Sequence, residues 1–253
     1  MKKYKNYIFD LYGTLIDIHT DENEPTLWNV LSDFYGRYGA DYSPEELKDA
    51  YHMIVREELE EKCRKLCIRH ADIKLEKVFW KLLNESQKKH HAELRIDTKE
   101  ESKIWTASVA NIFRALSMRR FQLFPQVHET LTVLRDRGAH IYLLSNAQRI
   151  FTIPEIEKAG LTEYFDAIYI SSDFGAAKPE PMFMQALLRE QQLDPSDCVF
   201  IGNDVKSDMS VASSCNVQGI FLNTDRHSEY ELDQMMRSND FIIIRSGNID
   251  ELL

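Results

Sequence analysis

Short runs that are apolar at nearly every position recur through two parts of this chain and are missing from the stretch between them. They fall at 4–9, 140–144, 167–170, 198–201, 219–222 and 241–244, and helical spacing separates them, as at Leu131 and Leu134 and at Phe183, Ala186 and Leu187. Strands that are apolar on both faces belong in a parallel sheet with helices packed against either side. The pattern therefore predicts an α/β core built from residues 1–16 and 119–253.

Residues 17–118 carry no convincing strand. Leu27, Leu31, Phe34 and Tyr38 form one stripe; Leu47, Tyr51, Ile54 and Val55 form a second; Leu75, Val78, Phe79, Leu82 and Leu83 a third; Ile104, Trp105, Val109, Ile112, Phe113 and Leu116 a fourth. The second opens with Ser43-Pro44-Glu45-Glu46, a helix start in which the serine can cap the backbone and the glutamate can return the bond. Four amphipathic helices predict a bundle inserted after the first strand, with hinges at 17–24 and 117–125.

The chain's 253 residues, 43% of them hydrophobic, suffice for one or two buried cores. A net charge of −10 argues against a nucleic-acid or anionic-membrane partner. Lys2, Lys3 and Lys5 precede an apolar run too short to span a bilayer and read here as a first strand, so no secretory segment is expected. Cys63, Cys67, Cys198 and Cys215 show no secretory disulfide spacing, and a reducing cytoplasm is the expected location.

Four predicted strand ends carry polar residues. Asp10-Leu11-Tyr12-Gly13-Thr14-Leu15 follows the first strand and sets a carboxylate at a glycine turn, in the crevice where open parallel sheets bind ligands. Ser145 and Asn146 follow the second, where a hydroxyl and an amide can donate to an oxyanion. Lys178-Pro179-Glu180-Pro181 begins a helix and offers a cation. Gly202-Asn203-Asp204-Val205-Lys206-Ser207-Asp208 supplies the hard oxygen ligands that suit Mg²⁺. Asp204 is the expected ligand because an anionic oxygen binds better than an amide, and Asn203 is its one-residue alternative. Read singly, each group has an ordinary account as a turn, a cap or a solvated side chain.

Taken in order, the four motifs resemble those of the haloacid dehalogenase (HAD)-like hydrolases, C1-capped subfamily I. The resemblance implies a Rossmann-like, doubly wound core with an α-helical cap at 17–118. It also implies a hydrolase acting on a small molecule; the sequence itself leaves monomer and homodimer both open. Asp10 would be the nucleophile; Thr14, Ser145, Asn146 and Lys178 would hold the substrate. Mg²⁺ would be held by Asp10, the Tyr12 carbonyl and Asp204 or Asn203, with Asp208.

Tyr12 stands where the family's phosphatases carry an aspartate that serves as general acid and base. A phenol, ordinarily titrating near about 10, is a poor base at neutral pH, and losing such a group costs about 10²–10⁴ in rate. The acidic fourth motif favours Mg²⁺-dependent phosphatase chemistry. Tyr12 keeps open a 2-haloacid dehalogenase, whose halide leaving group needs no proton. It also keeps open a catalytically weak binding or regulatory protein.

Cys63, Cys67 and His70 have zinc-like spacing, but the thiols continue the second stripe and are expected in the core. His90 and His91 are expected at the surface. His19 is a candidate substrate contact or a surface residue.

Overall fold

A computed structural model of the chain describes residues 2–90, 96, 98–237 and 240–253. The chain runs β1 (Asn6–Phe9), β2 (Ile16–Thr20), α1 (Pro25–Gly36), α2 (Pro44–Leu66), α3 (Leu75–His90) and α4 (Lys99–Ser117). It continues through β3 (Met118–Leu123), α5 (Val127–Asp136), β4 (His140–Ser145), α6 (Arg149–Lys158), β5 (Ala167–Ile170) and α7 (Ser171–Phe174). It ends with α8 (Pro181–Glu190), β6 (Cys198–Gly202), α9 (Ser210–Ser214), β7 (Gln218–Leu222), α10 (Glu229–Arg237) and β8 (Ile242–Ile244).

Six strands form one parallel sheet in the order β5-β4-β1-β6-β7-β8. The period-two alternation sends Tyr7, Phe9, Leu143 and Ile201 to the face covered by α5, and Ile8, Leu144 and Phe200 to the face covered by α8. Fully burying one such side chain contributes about 1.5–3 kcal/mol. Strand β1 lies between β4 and β6, so its carboxyl end opens where successive connections leave in opposite directions. Asp10 stands at that switch point.

Helices α1–α4 build a second apolar cluster around Trp28, Leu31, Tyr51, Phe79 and Phe113. The predicted capping box opens α2: Ser43 accepts from the Glu46 amide and the Glu46 carboxylate accepts from the Ser43 amide. Phe151 of α6 enters this cluster and stacks on Phe113 with ring centroids 6.1 Å apart. No described helix is long and apolar enough to cross a membrane.

The structure corrects two expectations here. The supposed hinges form an antiparallel ribbon, β2 against β3, pairing Ile16 with Leu123 and Ile18 with Phe121. The ribbon was hidden because Asp17, His19, Arg119 and Arg120 interrupt the apolar signal of a pair that is largely solvated. Cys67 is exposed and Cys63 only half-buried, because α2 runs on past Ile54, its last buried residue, beyond the bundle core. His19 is exposed on β2 opposite Arg120. His91 and the side chain of His90 lie outside the described residues.

Candidate functional site

Asp10 continues β1 and donates its amide to the Ile201 carbonyl at 2.9 Å, which fixes its backbone between the two neighbouring strand ends. The chain then turns sharply, with the Leu15 and Ile16 amides both bonding the Leu11 carbonyl. Gly13 adopts φ +85°, and a Cβ there would lie 2.4 Å from the Asn203 side chain. Conformation and close approach together require glycine. The Thr14 hydroxyl, fully buried, reaches Asp10 Oδ2 at 3.5 Å and Asn203 Oδ1 at 3.3 Å.

Lys178 joins two of the four motifs to its own. Its Nζ lies 2.6 Å from Asp10 Oδ1 and 2.8 Å from Asp208 Oδ1, and all three residues are at most 6% exposed. Burial alone would lower the ammonium's pKa, but Asp10 and Asp208 outweigh it and hold it above the usual lysine value. Burial, partly offset by Lys178 and reinforced by Asp10, pushes the Asp208 carboxyl up to about 6. The cluster thus holds two carboxylates to one ammonium.

The loop after β6 distributes its oxygens unequally. Asp208 Oδ2 accepts from the Asn203 and Asp204 amides, both at 3.1 Å, while Oδ1 meets Lys178 and the Ser207 hydroxyl. Gly202 permits this fold-back, since a Cβ there would lie 2.2 Å from Asp208 Oδ2. Asp204 Oδ1 turns onto its own helical turn and caps the Lys206 amide at 2.7 Å. Asn203, rather than Asp204, faces the Asp10 loop, and Asp225 accepts its amide at 3.0 Å. Thr224 also ties to this loop through the Gly13 carbonyl. Neither Thr224 nor Asp225 belongs to any motif in the sequence.

Ser145 ends β4, and its buried hydroxyl has no hydrogen-bond partner among the described residues. Such an orphan donor is costly unless a ligand completes it. Asn146 is engaged at both ends of its amide, donating to the Lys178 carbonyl at 3.0 Å and accepting from the Lys178 amide at 2.7 Å. It holds the lysine's loop in place.

Tyr12 is committed elsewhere. Its hydroxyl donates to Glu155 and lies 3.1 Å from Thr152 Oγ1. Arg114 of α4 binds both oxygens of Glu155, at 2.6 and 3.0 Å, and lies over the Tyr12 and Phe151 rings. Burial, then the charge of Glu155, raise the phenol well above its ordinary range. This network was invisible in the sequence because its members come from three separate elements.

These groups open into one cavity of about 520 Å³, lined by Asp10, Tyr12, Ser145, Asn146, Lys178 and the Asn203–Asp208 loop, together with His70. The size suits a small molecule. Three lining carboxylates face two lining ammoniums, so a phosphoryl dianion would enter a site already short of positive charge. Mg²⁺ fits that deficit and the hard oxygens Asp10 Oδ2 and Asn203 Oδ1 on either side of the Thr14 hydroxyl. Among the described residues no cluster of three or more His, Cys, Asp or Glu could hold a metal. Mg²⁺ does not need one, since it commonly keeps water and substrate oxygens in its shell.

A family model described as haloacid dehalogenase-like hydrolase matches residues 4–216. The ribulose-1,5-bisphosphate 5-phosphatase of Halopiger xanaduensis is 24% identical over 112 residues, 44% of this chain and 47% of that protein. The phosphoglycolate phosphatase of Yersinia pestis is 28% identical over 148 residues, 57% of this chain and 59% of that one. The matches thus span about half the length of these curated relatives. The 2-haloacid dehalogenase structure from Pseudomonas syringae pv. Tomato superposes with a TM-score of 0.64 at 20% identity, over 98% of this chain and 96% of that one, a likeness of fold.

Proposed function

The chain belongs to the haloacid dehalogenase-like hydrolases, and from that premise we propose that it is a Mg²⁺-dependent phosphatase of a small phosphomonoester, with Asp10 as nucleophile. The observation that carries this reading is the buried Ser145 hydroxyl without a partner, opening into the same cavity as Asp10 and Lys178. It is a donor waiting for an anionic oxygen. The phosphatase names of the curated relatives point the same way.

In this reading an Asp10 oxygen attacks phosphorus and the bond to the leaving alcohol breaks, giving an aspartyl-phosphate that water then hydrolyses. Lys178 and Ser145 stabilise charge on the phosphoryl oxygens, and Asp208 and Asn146 keep Lys178 in register. Asp10, the Tyr12 carbonyl and Asn203 would hold Mg²⁺, with Asp204 at the rim of the same loop. The bound ion would supply the positive charge that the donor set lacks. Phosphate release from a phosphoester panel with Mg²⁺, lost in Asp10→Asn, is the test; a panel without any release contradicts the reading.

One observation favours a second reading. The Tyr12 hydroxyl is bound to Glu155 and is not free to protonate a leaving group. A halide leaving group needs no proton, so 2-haloacid hydrolysis fits this feature. Chloride release from 2-chloropropionate in EDTA would favour it, and strict Mg²⁺ dependence would exclude it.

A further inference from the structure

We infer that His70, carried by the segment after α2, is the general acid and base of this site. The inference rests on the phosphatase reading and adds to it the group that moves the proton.

The segment is docked on the stretch between α7 and α8 that carries Lys178. The Ala177 amide bonds the His70 carbonyl at 2.8 Å, and the Asp72 amide bonds the Gly175 carbonyl at 3.2 Å. Glu180 Oε1 accepts the Arg69 and His70 amides at 2.8 and 2.9 Å. The same oxygen lies 3.1 Å from His70 Nδ1. Burial would raise the Glu180 carboxyl, but these amides and the imidazole outweigh it and hold it below the usual glutamate value. An ionised carboxylate only accepts, so Nδ1 carries the hydrogen. Nε2 is left without a hydrogen-bond partner among the described residues, and the residue lines the Asp10 cavity.

The other lining groups are excluded by what they already do. The Tyr12 proton is held by Glu155, and Lys178 is locked between two carboxylates. Asp208 has both oxygens occupied. Asp204 caps a helical turn, and Lys206 is exposed at the end of the same loop. Imidazole is the side chain that exchanges a proton near neutral pH. Asp10 and His70 reach the same cavity from separate segments of the chain.

The proton balance closes over one cycle. The imidazolium gives its Nε2 proton to the departing alkoxide as the Asp10 oxygen–phosphorus bond forms. Neutral Nε2 then takes a proton from the water that attacks the phosphoryl group of the aspartyl-phosphate. Phosphate leaves, Asp10 is regenerated and His70 is again protonated. Glu180 is a positioning residue, since it acts only through the ring.

The test uses the full chain with Mg²⁺, wild type and His70→Gln, on two substrates: an alkyl phosphate and p-nitrophenyl phosphate, whose leaving phenolate needs little proton assistance. With the alkyl phosphate, His70→Gln should lower turnover by about 10²–10³-fold. With p-nitrophenyl phosphate it should release one equivalent of nitrophenolate in a burst near the wild-type rate, then turn over slowly because water lacks its base. Glu180→Gln should weaken both effects without abolishing them. His70 is half exposed, so the variant is expected to fold, and a thermal melt checks this. Wild-type rates on both substrates, or equal slowing of both without a burst, would overturn the inference while leaving the phosphatase reading intact. A wild type that cleaves neither ester overturns both.

Discussion

Replacing Lys178 with methionine removes the only cation within 3 Å of Asp10 and Asp208 among the described contacts, while keeping most of the side-chain volume. Breaking a buried pair in this way costs about 3–5 kcal/mol, because the partner charges stay buried. The cost should depend on pH in a definite direction. Even with Lys178 present, the Asp208 carboxyl is pushed up to about 6. Against an unfolded value near about 4, that is roughly 3 kcal/mol favouring the protonated form. A carboxyl whose folded value lies above its unfolded value contributes stability that is fully present below about 4 and is lost as pH rises through the folded value. Without Lys178 the folded value moves higher still, and the loss moves with it. Urea unfolding of wild type and Lys178→Met in EDTA at pH 8, 6.5 and 5 isolates this effect as a difference between the two proteins. The deficit should be about 3–5 kcal/mol at pH 8 and shrink to about 1–2 kcal/mol at pH 5. A deficit that does not change with pH would refute the reasoning, because it would mean that Lys178 contributes packing and not charge.

Ser145→Ala should leave stability unchanged or raise it by up to about 1 kcal/mol, since it deletes an unpartnered hydroxyl, while kcat/KM for a phosphoester falls about 10-fold or more. Paired denaturation and phosphate-release assays check both halves. Gly13→Ala places a methyl group on the Asn203 amide at φ +85° and should cost about 1–3 kcal/mol, together with loss of phosphate release. Tyr12→Phe should cost about 1–2 kcal/mol by depriving Glu155 of a donor, yet keep phosphate release within a few-fold of wild type, because the phenol is not the proton donor. A large rate loss with unchanged stability would contradict that assignment.

The core was legible because its strands are apolar on both faces, a pattern that few other arrangements produce. Two of the four motifs were legible in part because a turn there requires glycine: Gly13 against Asn203, Gly202 against Asp208. What stayed hidden was tertiary. Spacing left Asn203 and Asp204 as alternatives and could not show the fold-back onto Asp208 that turns Asp204 onto its own helical turn. The α2 stripe promised buried cysteines, but periodicity continues beyond the point where the bundle ends. Arg114 and Glu155 lie 41 positions apart and meet only once α4 packs on α6. His70 looked like part of a zinc spacing with Cys63 and Cys67, whereas the chain carries it across to Glu180.

The most direct test of the central claim is to identify the covalent species on Asp10. Wild-type protein mixed with p-nitrophenyl phosphate and Mg²⁺, quenched in acid and digested, should give a phosphorylated peptide containing Asp10. That adduct should be absent from Asp10→Asn and from wild type in EDTA. Phosphate release without any Asp10 adduct, or an ester adduct formed from 2-chloropropionate in EDTA, would contradict the account.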